Sequence, residues 1–253
     1  MLLEMAKPVL AAETFTWWGL LGYEDVPFYM IMGWVVTALL VFVSLLVNVS
    51  LKKGDPVVPK APADMGLLDW VRHLFEMVVE TMVELLDSLM PHHHEGRGYA
   101  WLIIPIFLYI LINNLMGLAP GFEPATSNAN TNFAVAITVF VLYNAFGFWK
   151  VGPGYARHFW APPGLPIFIA PVIGLLLLGI ELVGHGFRPV TLTLRLFGNM
   201  TGDHVAFTTF LGLVPLGVPV IFLMLGLLVC AVQAYVFTLL SSVYITLATS
   251  HEH

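Results

Sequence analysis

The residues best equipped for chemistry lie in one apolar stretch, ELVGHGFRPVTLTLRLFGNMTGDH, which begins at Glu181 and ends at His204. With about 100° per residue on an ideal helix, Glu181, His185, Arg188, Arg195, Asn199 and Asp203 fall within a stripe of about 80°, and His204 points to roughly the opposite side. Gly184, Gly186 and Pro189 predict a kink or loosened turn, so the stripe is better defined after Pro189 than before it. An arginine at the centre of a membrane helix is unfavourable by roughly 2.5 to 3.5 kcal/mol on insertion scales. Arg195 sits mid-segment between LTL and LFG, with no acidic residue within one helical turn. Its guanidinium stays protonated at any physiological pH. A deep cation without a partner on its own helix calls for an anion from elsewhere, most economically a carboxylate on another subunit that visits the site. The chemistry this suggests is ion movement around a fixed charge. A blander reading has Arg188 and Arg195 snorkelling to an interface, or pairing with Glu181 and Asp203 as structural links.

Such a stripe has this meaning only in a bilayer, and composition puts it there. The 253 residues are 58% hydrophobic and 10% charged, with a mean hydropathy of +0.86, against about 25% charged residues in soluble domains. So few charges cannot cover that much apolar surface in water, and lipid must cover it. The net charge of -6 offers no basic footprint for nucleic acid. The single cysteine, Cys230, permits neither an internal disulfide nor a cysteine metal cluster. No cleaved signal peptide is read at the N-terminus.

The expected fold is all-α and polytopic, a single integral membrane domain over residues 1–253. About five hydrophobic helices are predicted: a first span at 27–51, a hairpin at 98–122 and 124–149, and two long, strongly tilted helices at 165–212 and 218–248. Lys52, Lys53, Lys60, Arg72, Arg97, Lys150 and Arg157 fall in alternate connectors. The positive-inside rule then puts the N-terminus outside and the C-terminus in the cytoplasm.

Between the first two spans, 66–90 reads as an amphipathic helix, with Asp69, Arg72, His73, Glu76, Glu80, Glu84 and Asp87 opposite Leu68, Val71, Phe75, Val79, Met82 and Leu86. It suits either the cytoplasmic surface or a protein partner covering its acidic face. His92, His93 and His94 read as a solvated loop, because consecutive residues point in different directions. Asn113, Asn114, Asn128, Asn130 and Asn132 could line a hydrated funnel or serve as turn and cap residues.

PVTLTLRLFGNMTGDH is similar to the signature of subunit a of F-type ATP synthases, in its bacterial form. NNLMGLAPGFEPATSNANTN resembles that family's outer hairpin, and VQAYVFTLLSSVYITLA, which contains Gln233, resembles its last helix. The resemblance covers most of the chain beyond the first 60 or so residues. It implies a non-catalytic stator subunit of the membrane F0 sector, with two offset aqueous half-channels and an arginine facing the carboxylates of a rotating c-ring. Partners would be the c-ring, the subunit b stalk, the remaining subunits and the lipid bilayer, in a bacterial inner membrane. By position, Arg195 would be the coupling charge, Gln233 its partner on the last helix and Asn199 a polar lining group. Glu181 and His204 would match positions of proton access, His204 having an alternative as a packing histidine. Asp203 is the candidate to supply a carboxylate that the family often places elsewhere, because Gly226 stands where many members carry His or Glu. His185 and Arg188 are secondary candidates. Neither a cofactor nor a metal is implied.

The competing function is a self-contained secondary ion transporter, which commonly carries repeated halves, and none is visible. A purely structural scaffold would leave the charged stripe unexplained. The sequence lacks a G-x-x-x-x-G-K-[ST] phosphate-binding loop, so nucleotide chemistry would belong to other subunits.

Overall fold

The computed structural model describes residues 28–52, 67–89, 98–119, 122, 124–151, 170–213 and 218–249. Its helices are α1 (Phe28–Lys52), α2 (Leu67–Leu89), α3 (Ala100–Gly117), α4 (Ala129–Val151), α5 (Ala170–Leu213) and α6 (Val218–Thr249), with a 3-10 turn at Ala125–Ser127 before α4. The chain is a polytopic all-α membrane protein: α3, α4, α5 and α6 are each long and apolar enough to cross a bilayer. A shorter apolar stretch, Tyr29–Leu45, occupies α1. His92–His94, Lys53, Lys60, Arg97 and Arg157 lie outside the described residues, as does the side chain of Glu181.

Helices dominate because a bilayer offers backbone amides no water, and a helix satisfies them within one segment. Helix α5 has 44 residues and α6 has 32, or about 66 and 48 Å at 1.5 Å per residue. Both exceed a hydrocarbon core of about 30 Å, so each tilts within the bilayer or projects beyond it. Pro189 lies inside α5, which continues through it as one helix.

The core is made where α3, α4, α5 and α6 meet, with Ile103, Phe107 and Ile110 of α3, Val139 and Tyr143 of α4, Leu196 of α5, and Phe237 and Ile245 of α6 all buried. Buried hydroxyls on α6 fold back on their own helix: Thr238, Ser241, Ser242 and Thr249 each donate to the carbonyl four residues earlier at 2.8 Å. They are thereby satisfied without water. Helix α2 lays Met82 and Leu86 into this core and leaves His73, Glu80 and Glu84 exposed or half-buried at its outer side. Trp70, Leu74 and Met77 are exposed as well. Arg72 pairs with Glu76 along the same helix at 2.8 Å.

The connection from α3 to α4 is fastened by amides. Asn114 Oδ1 accepts from the Thr126 hydroxyl at 2.7 Å, and Asn132 Nδ2 donates to the Thr126 carbonyl at 2.8 Å. Asn113 Nδ2 donates to the Tyr109 carbonyl at 2.8 Å, and its Oδ1 accepts from the Ala125 amide. Asn128 Oδ1 takes the Asn130 amide at 2.8 Å, as a cap does where α4 begins.

Candidate functional site

Leu192, Leu196 and Met200 recur every four residues on α5 and are buried, so they define its inward face. Arg195 precedes Leu196 and is therefore rotated about 100° away from that face. Its side chain is exposed, and among the described residues neither a hydrogen bond nor an ion pair holds its guanidinium. On α5 its exposed neighbours are mixed: Phe187 and Leu194 are apolar, and Thr191 and Asn199, one turn to either side, are polar. A Cβ built on Gly198 or Gly202 meets nothing within 4 Å, so the backbone is uncovered at these two positions beyond the arginine.

One turn further along α5, Asn199 Nδ2 donates to Oε1 of Gln233 on α6 at 2.7 Å. This bond crosses between the two long helices beside Arg195, and Gln233 is 5% exposed. The other end of that amide, Gln233 Nε2, is buried with no hydrogen-bond partner among the described residues. Gln233 also borders a cavity of about 10 Å³, lined with it by Asn114, Asn199, Met200, Asp203 and Cys230 among others.

The earlier half of the stripe is turned elsewhere. His185 Nε2 lies 2.8 Å from Asn144 Oδ1 and 3.3 Å from the Tyr143 hydroxyl, with its ring against Phe140. Asn144 gives its Nδ2 to the Phe140 carbonyl at 2.8 Å, which leaves Oδ1 as the end that accepts. His185 must then donate through Nε2–H, which fixes its tautomer. Arg188 places its guanidinium carbon 4.7 Å over the Tyr244 ring and 5.9 Å over that of Tyr143. These faces suit a cation in a site short of water.

Residues 30–246 match the family model described as the ATP synthase A chain. The chain belongs to the ATP synthase subunit a family. A relative named ATP synthase subunit a from Bdellovibrio bacteriovorus is 41% identical over 220 residues, 87% of this chain and 90% of the relative. ATP synthase subunit a 3 of Pelobacter propionicus is 36% identical over 87% of this chain and 86% of its own length. The subunit a of Trichlorobacter lovleyi is 36% identical over 88% of each.

Within this subunit a chain, the residues singled out from sequence divide into three groups. Asn199, Asp203 and Gln233 come together around the small cavity. Arg195 stands on the outer surface, and the hydrogen bond of Gln233 goes to Asn199. His185 and Arg188 belong to the aromatic cluster between α4, α5 and α6. His204 is half-buried and does not line the cavity. At Gly226 a Cβ would meet Leu118 Cδ2 at 2.7 Å, so the glycine sits at a local close approach of α6 to the end of α3. Sequence reasoning missed Tyr143, Asn144 and Tyr244. Asn144, a lone amide in the apolar run VFVLYNAFGFW, was the one available signal.

Proposed function

We propose that this chain is the proton-translocating stator subunit of an F0 sector, a non-catalytic part of an ATP synthase in a bacterial inner membrane, with its C-terminus in the cytoplasm. Arg195 would face the carboxylates of a c-ring, and two offset aqueous half-channels would deliver protons to and from them. Subunit b and the remaining subunits would hold the chain still against the turning ring. The observation that carries this reading is the exposed side chain of Arg195, with neither a hydrogen bond nor an ion pair among the described residues, in the middle of a helix long and apolar enough to cross a bilayer. A permanent cation exposed at mid-helix is unfavourable in lipid, and an anion brought by a neighbouring subunit relieves that cost where snorkelling does not reach. The bare backbone at Gly198 and Gly202 lets a neighbouring helix approach closely there.

The mechanism follows from electrostatics. A nearby cation stabilises the ionised form of a carboxylate and lowers its pKa. A ring carboxyl arriving beside Arg195 therefore gives up its proton before passing and takes one again on leaving. The same charge repels a proton crossing directly. Each proton moved through 100 mV supplies about 2.3 kcal/mol, so a leak past Arg195 would lose the work of the gradient. Asn199 and Gln233, joined by their hydrogen bond, fix the two helices beside the arginine. Glu181, Asp203 and His204 are the candidate access groups, with Asp203 supplying the carboxylate that Gly226 does not.

The decisive experiment is Arg195→Ala in the reconstituted complex. ATP-driven proton pumping is lost while the soluble ATPase is retained; normal pumping would end the assignment. Vesicles containing this chain alone carry no coupled transport, whereas a self-contained transporter would be active in them.

A further inference from the structure

Helix α2 carries more apolar surface than its packing uses. Met82 and Leu86 enter the core, and beside them Phe75, Val79 and Val83 recur every four residues as a second row. That row lines an open groove of about 510 Å³ against α3, with Trp101, Ile104 and Pro105 among the residues opposite. No charged side chain lines it. Its volume falls in the range of about 300 to 1,000 Å³ that small-molecule sites occupy, yet it follows α2 only from Phe75 to Val83, about 12 Å of helix. A transmembrane helix is about 10 to 12 Å across, and a length of it equal to the groove has about twice the groove's volume. A single hydrocarbon chain is slimmer.

The groove lies at the edge of the membrane. Trp101, in the first turn of the crossing helix α3, and Trp70 on α2 are both exposed, and exposed tryptophans sit at headgroup level. A chain entering here leaves its headgroup beside α2, where the surroundings are acidic. With about 100° per residue, Glu76, Asp87 and Glu80 follow within about 60° of Val83, on the side away from the core. Helix α2 carries five carboxylates against one arginine, Arg72, and Glu76 holds that arginine at 2.8 Å. Glu80 is exposed, with neither a hydrogen bond nor an ion pair among the described residues. Lipid tails are as apolar as leucine, so the groove alone selects no lipid. The lip does, because its sign repels an anionic headgroup and attracts an ammonium.

We propose that the groove between α2 and α3 is a phospholipid site: it takes one acyl chain of a lipid with a primary ammonium headgroup, of the ethanolamine type, whose N–H groups pair with Glu80. The ammonium donates charge-assisted hydrogen bonds to the carboxylate. The chain fills the space beside Phe75, Val79 and Val83 and so seats α2 against the crossing helix. The site is independent of proton movement, and its failure leaves the stator reading untouched.

The test uses the intact complex in phosphatidylcholine vesicles doped with a phospholipid that bears a photoreactive diazirine on its acyl chain and either an ethanolamine or a glycerol headgroup. After illumination, labelled residues are mapped by mass spectrometry and normalised to label at Val141 and Phe148, which are exposed on α4. In the unsubstituted complex the ethanolamine lipid should label 75–83 and 100–105 about fivefold more than the glycerol lipid, an exposed ion pair supplying part of that ratio and repulsion of the anionic headgroup the rest. Glu80→Gln should cut the ratio by about half and leave assembly intact. Val79→Trp, which fills the groove, should remove label from both stretches while α4 stays labelled. Equal labelling by the two lipids, or a ratio unchanged in Glu80→Gln, overturns the proposal. Label on α4 with none in the groove shows that protein covers it and overturns the site as well. If Val79→Trp fails to assemble, the unsubstituted and Glu80→Gln complexes still decide.

Discussion

Asn199 donates its Nδ2 to Oε1 of Gln233 across 2.7 Å, and in doing so bolts the two longest helices together one turn from Arg195. Interhelical hydrogen bonds in membranes average about 0.6 kcal/mol and reach about 1.7. A double-mutant cycle of Asn199→Ala and Gln233→Ala, read from thermal or denaturant unfolding in detergent, should give a coupling energy of about that size. A coupling indistinguishable from zero would mean that the bond does not form in the membrane.

Charge should matter at Gln233 far more than this bond. Gln233→Glu keeps an oxygen to accept from Asn199 but places a resident carboxylate on α6 opposite Asn199, one turn along α5 from Arg195. Arg195 would then have an anion of its own chain, in competition with any carboxylate that arrives. The expected outcome is an assembled complex whose ATP-driven pumping falls more than tenfold, measured by fluorescence quenching in vesicles. Pumping at the parental rate would show that Arg195 lies beyond the reach of position 233.

The guanidinium of Arg188 lies over Tyr244 and Tyr143, so its cation anchors α5 to α4 and α6. Cation–π contacts are worth about 0.5 to 2 kcal/mol, more when water is excluded. Arg188→Leu should therefore lower the unfolding midpoint, and Tyr244→Leu should cost a similar amount that is not additive with it. Tyr244→Phe keeps the ring face and should be close to neutral. Full additivity of the two Leu variants would assign both effects to general packing.

Fold class was legible because it follows from sums: few charges, long uncharged runs and alternating basic connectors admit only a polytopic helical protein. The site was legible in part. The position of Arg195 in its run pointed to a cation without a local partner, and α5 carries it as an exposed residue. What the helical wheel could not supply was direction. Its single polar stripe becomes three destinations in the fold, since His185 and Arg188 turn to Tyr143, Asn144 and Tyr244, Asn199 turns to Gln233, and Arg195 turns outward. An ideal wheel omits side-chain length and the neighbours that compete for each group. Contacts such as Tyr143 to His185, 42 positions apart, leave no periodic trace in an apolar run. The partner of Gln233 was likewise beyond spacing arguments, because 34 positions separate it from Asn199.

Gly226 offers the sharpest test of whether this chain's departures act together. A Cβ at Gly226 would stand 2.7 Å from Leu118 Cδ2, so any larger residue there has to displace that side chain. Cδ2 is the free end of a half-buried leucine that can turn aside, so the cost falls toward the low end of the roughly 1 to 3 kcal/mol typical of overpacking. Gly226→His, which must seat an imidazole as well as a Cβ there, should therefore lower assembly on its own. Leu118→Ala removes the obstructing methyls, and the Leu118→Ala, Gly226→His double variant should recover assembly, measured as intact complex extracted from membranes. The recovered complex then allows Asp203→Ala to be compared in two backgrounds. If Asp203 serves proton access, as proposed, and the imidazole introduced by Gly226→His can replace it, loss of Asp203 should slow proton uptake severalfold in the Gly226 background and much less in the double variant. Equal losses in both would mean that Asp203 serves a purpose a residue at that position of α6 cannot replace.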